Sequence, residues 1–468
     1  MDSLVSAAEA GKSGLARTLG PVNLLAIGIA TIVGSGIFVL TGNAAAEYAG
    51  PGVAISFAIA GLAAGTTALC YAELASMIPV SGGTYSYAFA VLGPFLGWII
   101  GWDLLLEYLF GGSVVAVGWS GYLENSLDGV NLGLPHALAN GAFAGGVVNV
   151  PAIALIAIVT ALLVVGTRES ATTTTVIVAL KVTALLVFVG VGAFYISSAN
   201  LHPFVPANTG GFGNFGASGV VRAAGLLFFA FIGFDLVCTS AQEARNPRRT
   251  VPIGVLGSLG LATLLYIAVA FVMTGLIDYH QLDVSNPLSA ALSPYPSLHW
   301  LTNTIDLVAL LGLGSTVLVV LYGQARILMR MGEDGMLPSF FSSVSPRTRT
   351  PYKATIVCGL VAALIAGLLP ITTLATLVSI GTLAAFIVVS SAVLVLRRTR
   401  PDLERPFKLP FGPVIPVVAV VLSLGVIATL PLITVLRFVV WLLIGLAIYF
   451  IYSRERTHGV IAERAADA

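Results

Sequence analysis

The stretch GIATIVGSGIFVLTG, Gly28 to Gly42, is apolar almost throughout and is interrupted at its centre by Gly34, Ser35 and Gly36. Glycine loses the most backbone entropy on ordering and covers none of its own peptide groups, so consecutive small residues make helix continuation weakest here. In a bilayer, freed backbone groups are tolerated only where they are buried in protein or line a cavity. Whether the chain lives in a bilayer therefore decides what the triplet means.

Composition decides it. Of 468 residues, 57% are apolar and only 9% charged, with a mean hydropathy of +0.98, whereas soluble domains carry about 25% charged residues. A hydrocarbon core of ~30 Å needs ~20 apolar residues per helical crossing. Twelve such segments stand between polar or Pro/Gly-rich breaks, at 22–43, 53–78, 94–122, 148–166, 171–196, 217–240, 251–277, 301–330, 353–369, 371–396, 413–430 and 432–452. The expected class is an all-α integral membrane protein with twelve transmembrane helices.

The basic residues test that count, because Lys and Arg concentrate in cytoplasmic loops. With the amino terminus inside, all 22 fall on the inner face except Lys181, Arg222 and Arg437. A span miscounted would scatter them. Both termini are therefore expected in the cytoplasm and the chain in the inner (plasma) membrane, with the lipid bilayer as its solvent. The net charge of +1 gives no footprint for nucleic acid. GKS at Gly11–Ser13 lacks the glycine, the strand and the soluble domain of a P-loop, so no ATP use is expected. The polar amino-terminal tail has no cleavable-signal pattern, and the first span is read as the insertion signal. Cys70, Cys238 and Cys358 lie in apolar segments without metal-ligand spacing, and the five histidines, in predicted loops or tails, lack such spacing too. No metal and no cofactor are expected.

A second break occurs at FFAFIGFDLV, Phe228 to Val237, five segments after the first. An odd interval inverts the second unit in the membrane, the geometry of an inverted repeat whose paired broken helices form a site near the midplane. Gly28 and the GLAAG run at Gly61–Gly65 are read instead as close helix packing.

Ionisable groups inside spans are costly and mark pathways or partners. Lys181, in VIVALKVTALLVFV, is too deep to reach the interface, so its ammonium must find oxygen partners or release its proton. Glu107, in GWDLLLEYLFGGS, stands mid-span one turn before Gly111 and is read as a substrate-site or proton-linked acid. Asp103 stands near the inner end of its span, where water can reach it, and Glu73, near the inner end of the second span, is read as interfacial. Asp235 follows the second break, where it can cap the next half-helix or act in function. Phe228, Phe229, Phe231 and Phe234 bracket that break, and Phe231 is the expected gate.

The stretches IVGSGIFVLTG, PVSGGTYSYAF, GWDLLLEYLFGGSVVAVGWSGY, FFAFIGFDLVCTSAQEARNPRRTVP, YGQARILMRMGEDGMLP and RPFKLPFGP together resemble the amino acid, polyamine and organocation transporter superfamily. The likeness is to the bacterial branch of its cationic amino acid transporter family and covers essentially the whole chain. It implies a leucine-transporter-type fold: a tail over 1–21, a core over 22–396 built from inverted five-helix repeats at about 22–196 and 217–396, accessory helices over 397–452, and a tail over 453–468. It also implies that backbone amides of Ile32, Val33, Gly34, Ser35, Gly36 and Ile37 hold a substrate carboxylate. Phe229, Ala230, Phe231, Ile232 and Gly233 would hold its ammonium and close the site. Lys181 matches the lysine that stands where sodium sits in sodium-coupled relatives, implying proton coupling and no sodium site. Gly314 and Ser315 fall where a roomy side-chain pocket is expected, and Glu107 can face a cationic side chain. The substrate expected is an amino acid, neutral first and cationic next. Proton-coupled symport is the leading reading, with an amino acid or polyamine exchanger of the same fold as the alternative.

Overall fold

The computed structural model describes residues 19–77, 83–129, 131–166, 171–239, 244–348 and 350–457; the Gly11–Ser13 motif, Arg168 and both tail ends lie outside them. The longer helices, in chain order, are α1 (Pro21–Ile32), α2 (Val53–Met77), α3 (Gly83–Asp128), α4 (Val150–Val165), α5 (Ala171–Gly192), α6 (Gly216–Leu227), α7 (Pro247–Leu276), α8 (His299–Glu333), α9 (Tyr352–Leu368), α10 (Ile371–Thr399), α11 (Val414–Thr429) and α12 (Leu432–Ile448). Among the described residues β geometry is confined to isolated bridges, Leu19 with Ala244 and Gly141 with Val147.

Seven helical runs of the described residues are long and apolar enough to cross a bilayer, among them Gly36–Met77, Arg248–Leu276 and Ile371–Thr399, and five shorter apolar helices accompany them. Two of the five, Pro21–Ile32 and Gly216–Phe231, are short because each stops at a helix break. Outward-facing Leu264, Leu360, Leu364, Leu432 and Leu443 leave large apolar side chains exposed, a surface suited to lipid rather than water. The chain is a helical membrane protein.

The third span runs Gly93–Asp128, beginning within a residue of its expected start at 94. A preceding helix from Gly83 breaks off at Gly93, where φ is 85°, ahead of Pro94. Proline lacks the N–H that would continue the ladder, and glycine supplies the left-handed backbone the bend needs.

Helices pair closely across the chain: α2 with α7, α3 with α8 and α10, α4 with α9, and α1 with α7. Small residues permit the approach. A Cβ at Gly28 would stand 2.2 Å from Ser258 Oγ on α7, and one at Gly61 would stand 2.7 Å from Thr263. α12 is keyed to α3 by tryptophans: Trp102 stacks on Trp441 with centroids 4.6 Å apart, and Trp98 Nε1 donates to the Gly445 carbonyl at 2.9 Å.

Glu73, read as interfacial, is 1% exposed. Arg397 of α10 forks onto its carboxylate through Nε at 2.9 Å and through its terminal nitrogen at 2.5 Å, and the Leu409 N–H donates to it at 2.9 Å. A carboxylate withdrawn from water must be paired. Here the partners arrive from far along the chain and knot the ends of α2 and α10 together.

Candidate substrate site at the two helix breaks

α1 stops at Ile32, and the chain re-enters helix at Gly36 with a five-residue π turn, Gly36–Leu40. π turns place a local gap in the ladder and recur at functional sites. The α6 side tightens into a 3₁₀ turn, Phe228–Phe231, after which Ile232 is extended and Gly233 takes φ 105°. The two breaks touch. Thr31 Oγ1 donates to the Gly233 carbonyl at 2.9 Å, and a Cβ at Gly36 would meet the Ala230 Cα at 2.4 Å.

Carbonyls released by the breaks are satisfied by side chains from elsewhere. The Tyr266 hydroxyl of α7 shares its hydrogen between the Ile32 carbonyl at 2.7 Å and the Ala230 carbonyl at 3.1 Å. Thr41 Oγ1 faces the carbonyls of Gly36 and Ile37 at 3.1 and 3.0 Å. The Tyr122 hydroxyl donates to the Phe38 carbonyl at 2.6 Å. The break also removes the carbonyl partners of first-turn N–H groups in the half-helix starting at Gly36, of which Phe38 N–H reaches back to the Gly34 carbonyl at 3.4 Å. Ser35 is 1% exposed, and its hydroxyl has no hydrogen-bond partner among the described residues.

A cavity of about 180 Å³ lies against both breaks. Ile32, Gly34, Ser35 and Gly36 line it from the first break, and Phe229, Ile232 and Gly233 from the second. Glu107 and Gly111 of α3, Lys181 of α5 and Ser315 of α8 complete the expected set on its wall. Lys181, 2% exposed, donates from Nζ to the Val33 carbonyl and to Thr316 Oγ1, each at 3.0 Å. Its stem crosses Gly312, where a Cβ would stand 2.6 Å from the lysine Cε.

Val33, Ile37, Ala230, Phe231 and Gly314 are off the cavity lining. Val33 reaches it through Lys181. Ala230 packs behind the lining against Gly36. Phe231 is fully buried and turned onto Phe57 and Tyr266, with ring centroids 6.2 and 5.5 Å away. Gly314 faces Trp119 and Leu155, so the open wall of the cavity is at Gly111, where a Cβ would meet nothing within 4 Å.

The amino acid permease family model matches residues 19–456, a span holding both breaks, Lys181 and the whole cavity. The chain belongs to the amino acid permease family. The permease is 46% identical to the branched-chain amino acid permease BcaP of Bacillus subtilis and 42% identical to the methylthioribose transporter of the same organism, over 96% of each chain in both cases. It is 43% identical to the vacuolar cationic amino acid transporter 2 of Arabidopsis thaliana, over 84% of this chain and 61% of the plant protein. Family and relatives are transporters, not enzymes.

Sequence reading missed several side chains of the permease's site. Thr31 and Thr316 on the cavity wall, and Tyr266 bonded to the carbonyls of both breaks, carried no mark that separates them from ordinary polar or aromatic residues of a span. The apolar wall of Val115, Ile177, Val319 and Val320 reads as lipid-facing or core sequence alike. Asp103, expected at water, is 2% exposed, and neither carboxylate oxygen has a hydrogen-bond partner among the described residues. It lies one turn from Glu107 on α3 and against Gly381 of α10. Asp235 is also buried, directly before the short helix Leu236–Thr239.

Proposed function

We propose that this permease takes up neutral amino acids with branched aliphatic side chains, together with protons, by alternating access. The observation that carries the reading is the pair of facing helix breaks with an apolar cavity between them. The substrate carboxylate is assigned to the first-turn amides of the Gly36 half-helix and the unpartnered Ser35 hydroxyl, where the positive end of the helix dipole favours an anion. Its ammonium is assigned to carbonyls of the Phe229–Gly233 segment. The side chain then points at Gly111, Val115, Ile177, Val319 and Val320. A cavity this size, below the ~300 Å³ of drug-sized pockets, suits one small molecule.

Lys181 supports proton coupling. Its ammonium holds the Val33 carbonyl at the edge of the first break. An amine in this dry setting can give up its proton, and the neutral form holds that carbonyl less strongly than the charged one. Protonation is thereby tied to the shape of the site. The acid Glu107 on the cavity wall favours a second reading, a cationic side chain, as named for the plant relatives.

The packing of α2 on α7, α3 on α8 and α4 on α9 supports two inverted five-helix units, over about 22–196 and 217–396, followed by accessory helices within 397–452. The inner-face clustering of arginine and lysine supports cytoplasmic termini in the inner membrane.

The test is uptake of labelled leucine into proteoliposomes. Accumulation driven by an inward proton gradient, out-competed by valine and isoleucine but not by lysine, is the expected result. Uptake that ignores the gradient and needs amino acid on the opposite side would replace symport by exchange. Competition by lysine and arginine alone would move the substrate to the cationic class.

A further inference from the structure

A groove of about 720 Å³ lies at the first turns of α7, away from the substrate cavity. Arg248 and Arg249 line it together with Ile253, Leu256, Pro406 and Phe407. The apolar run Arg248–Leu276 is long enough to cross a bilayer, so this end of it lies where headgroups meet hydrocarbon. Chemistry follows the same order along the groove. Two guanidinium groups come first, then, one turn deeper, a strip in which Ile253 is 44% exposed although apolar.

We propose that this groove binds one anionic phospholipid, with its phosphodiester on Arg248 and Arg249 and an acyl chain along Ile253 and Leu256. Charge complementarity selects the headgroup, since guanidinium forks match phosphate oxygens, and basic pockets between membrane helices hold acidic lipids in this way. The apolar strip selects a lipid over a free anion, which would leave Ile253 and Leu256 uncovered. Glu404 pairs with Arg248 at 3.2 Å, but both side chains are half or more exposed, at 50% and 72%, so the pair is weak and screened. The Arg249 backbone N–H donates to the Asn246 carbonyl at 3.1 Å, which leaves its guanidinium exposed at the groove. A lipid here would bridge α7 to the 405–407 segment, which follows α10.

The experiment is thermal unfolding of the purified full chain in neutral detergent, titrated with dihexanoyl phosphatidylglycerol, dihexanoyl phosphatidylcholine or inorganic phosphate, since a ligand of the folded state raises its melting temperature. Saturable stabilisation by phosphatidylglycerol alone is expected. Its apparent Kd should rise about fivefold in R249Q and further in R248Q/R249Q, rise less in R249K, which keeps the charge but loses the fork, and rise in I253N. Equal stabilisation of R248Q/R249Q and wild type overturns the proposal, as does inorganic phosphate matching the lipid. If R248Q/R249Q does not fold, R249Q against R249K decides, and an unchanged Kd in R249Q is then the overturning result. The readout is binding of lipid, so it stands apart from the outcome of the uptake experiment.

Discussion

Lys181 Nζ donates to the Val33 carbonyl at 3.0 Å, across two helices whose sequence positions differ by well over a hundred residues. One cation therefore satisfies an acceptor that the α1 break released. Thr316 Oγ1 is its second partner, and that hydroxyl in turn faces the Gly312 carbonyl at 2.9 Å. The cation thus ties α5 and α8 to the edge of the site, so any change in its charge is felt where the substrate carboxylate is assigned.

Lys181→Met keeps the length of the side chain but removes the donor. Proton-gradient-driven uptake should fall to the level of empty liposomes, while the variant remains membrane-inserted and monodisperse in detergent. Gradient-driven uptake at wild-type level in this variant would remove Lys181 from the coupling mechanism.

Two glycines of the same break should respond differently to alanine. At Gly36 the new Cβ would lie 2.4 Å from the Ala230 backbone, so Gly36→Ala must push the two breaks apart. A loss of about 1–3 kcal/mol of stability and loss of substrate-induced stabilisation are expected. At Gly34 the nearest atom is the Thr316 methyl at 3.7 Å, so Gly34→Ala should fold normally and weaken binding only by occupying cavity space. Thermal melts with and without leucine distinguish the two.

Much of this site was legible because its strangest residues are locally strange. A Gly-Ser-Gly triplet in an apolar run, a second break with Gly233 and Asp235, and a mid-span lysine each violate the rules of a plain membrane helix on their own. What could not be read was direction. Phe229 and Phe231 are two residues apart in a 3₁₀ turn with three residues per turn, so they face different ways, and only the tertiary setting turns Phe229 to the cavity and Phe231 to Phe57. Gly111 and Gly314 are each helical glycines, and helix rotation alone decides that Gly111 is the open wall. Asp103 was misjudged for a related reason. Nearness to a segment end suggests water, but α10 covers Asp103.

Tyr266→Phe tests the bridge between the breaks. The phenyl ring retains the packing on Phe57 and Phe231 but leaves the Ile32 and Ala230 carbonyls without their shared donor. Leaving a buried acceptor unpaired costs about 1–3 kcal/mol, and hydrogen bonds between membrane helices sit at the lower end, about 0.6 on average. The expected loss is about 1 kcal/mol in thermal or chemical unfolding, with a larger proportional loss of leucine affinity because both halves of the site relax. A drop in stability with leucine affinity unchanged would separate Tyr266 from the site.

Gly111→Val asks where the substrate's side chain lies. The glycine lines the cavity and has open space in front of it, so valine fits without displacing its neighbours and the fold should be unaffected. The added carbons take volume from a cavity of about 180 Å³. If the side chain points there, leucine and isoleucine lose room while alanine does not. Each methylene excluded from a fitted apolar pocket is worth about 10-fold or more in discrimination, so leucine affinity should fall by at least that factor, with alanine affinity held or improved. The carboxylate and ammonium contacts are common to both substrates, so a size-independent loss would mean that valine disturbs the breaks instead. Competition binding of leucine against alanine on wild type and Gly111→Val measures this ratio directly, and an unchanged ratio would move the side-chain pocket away from α3.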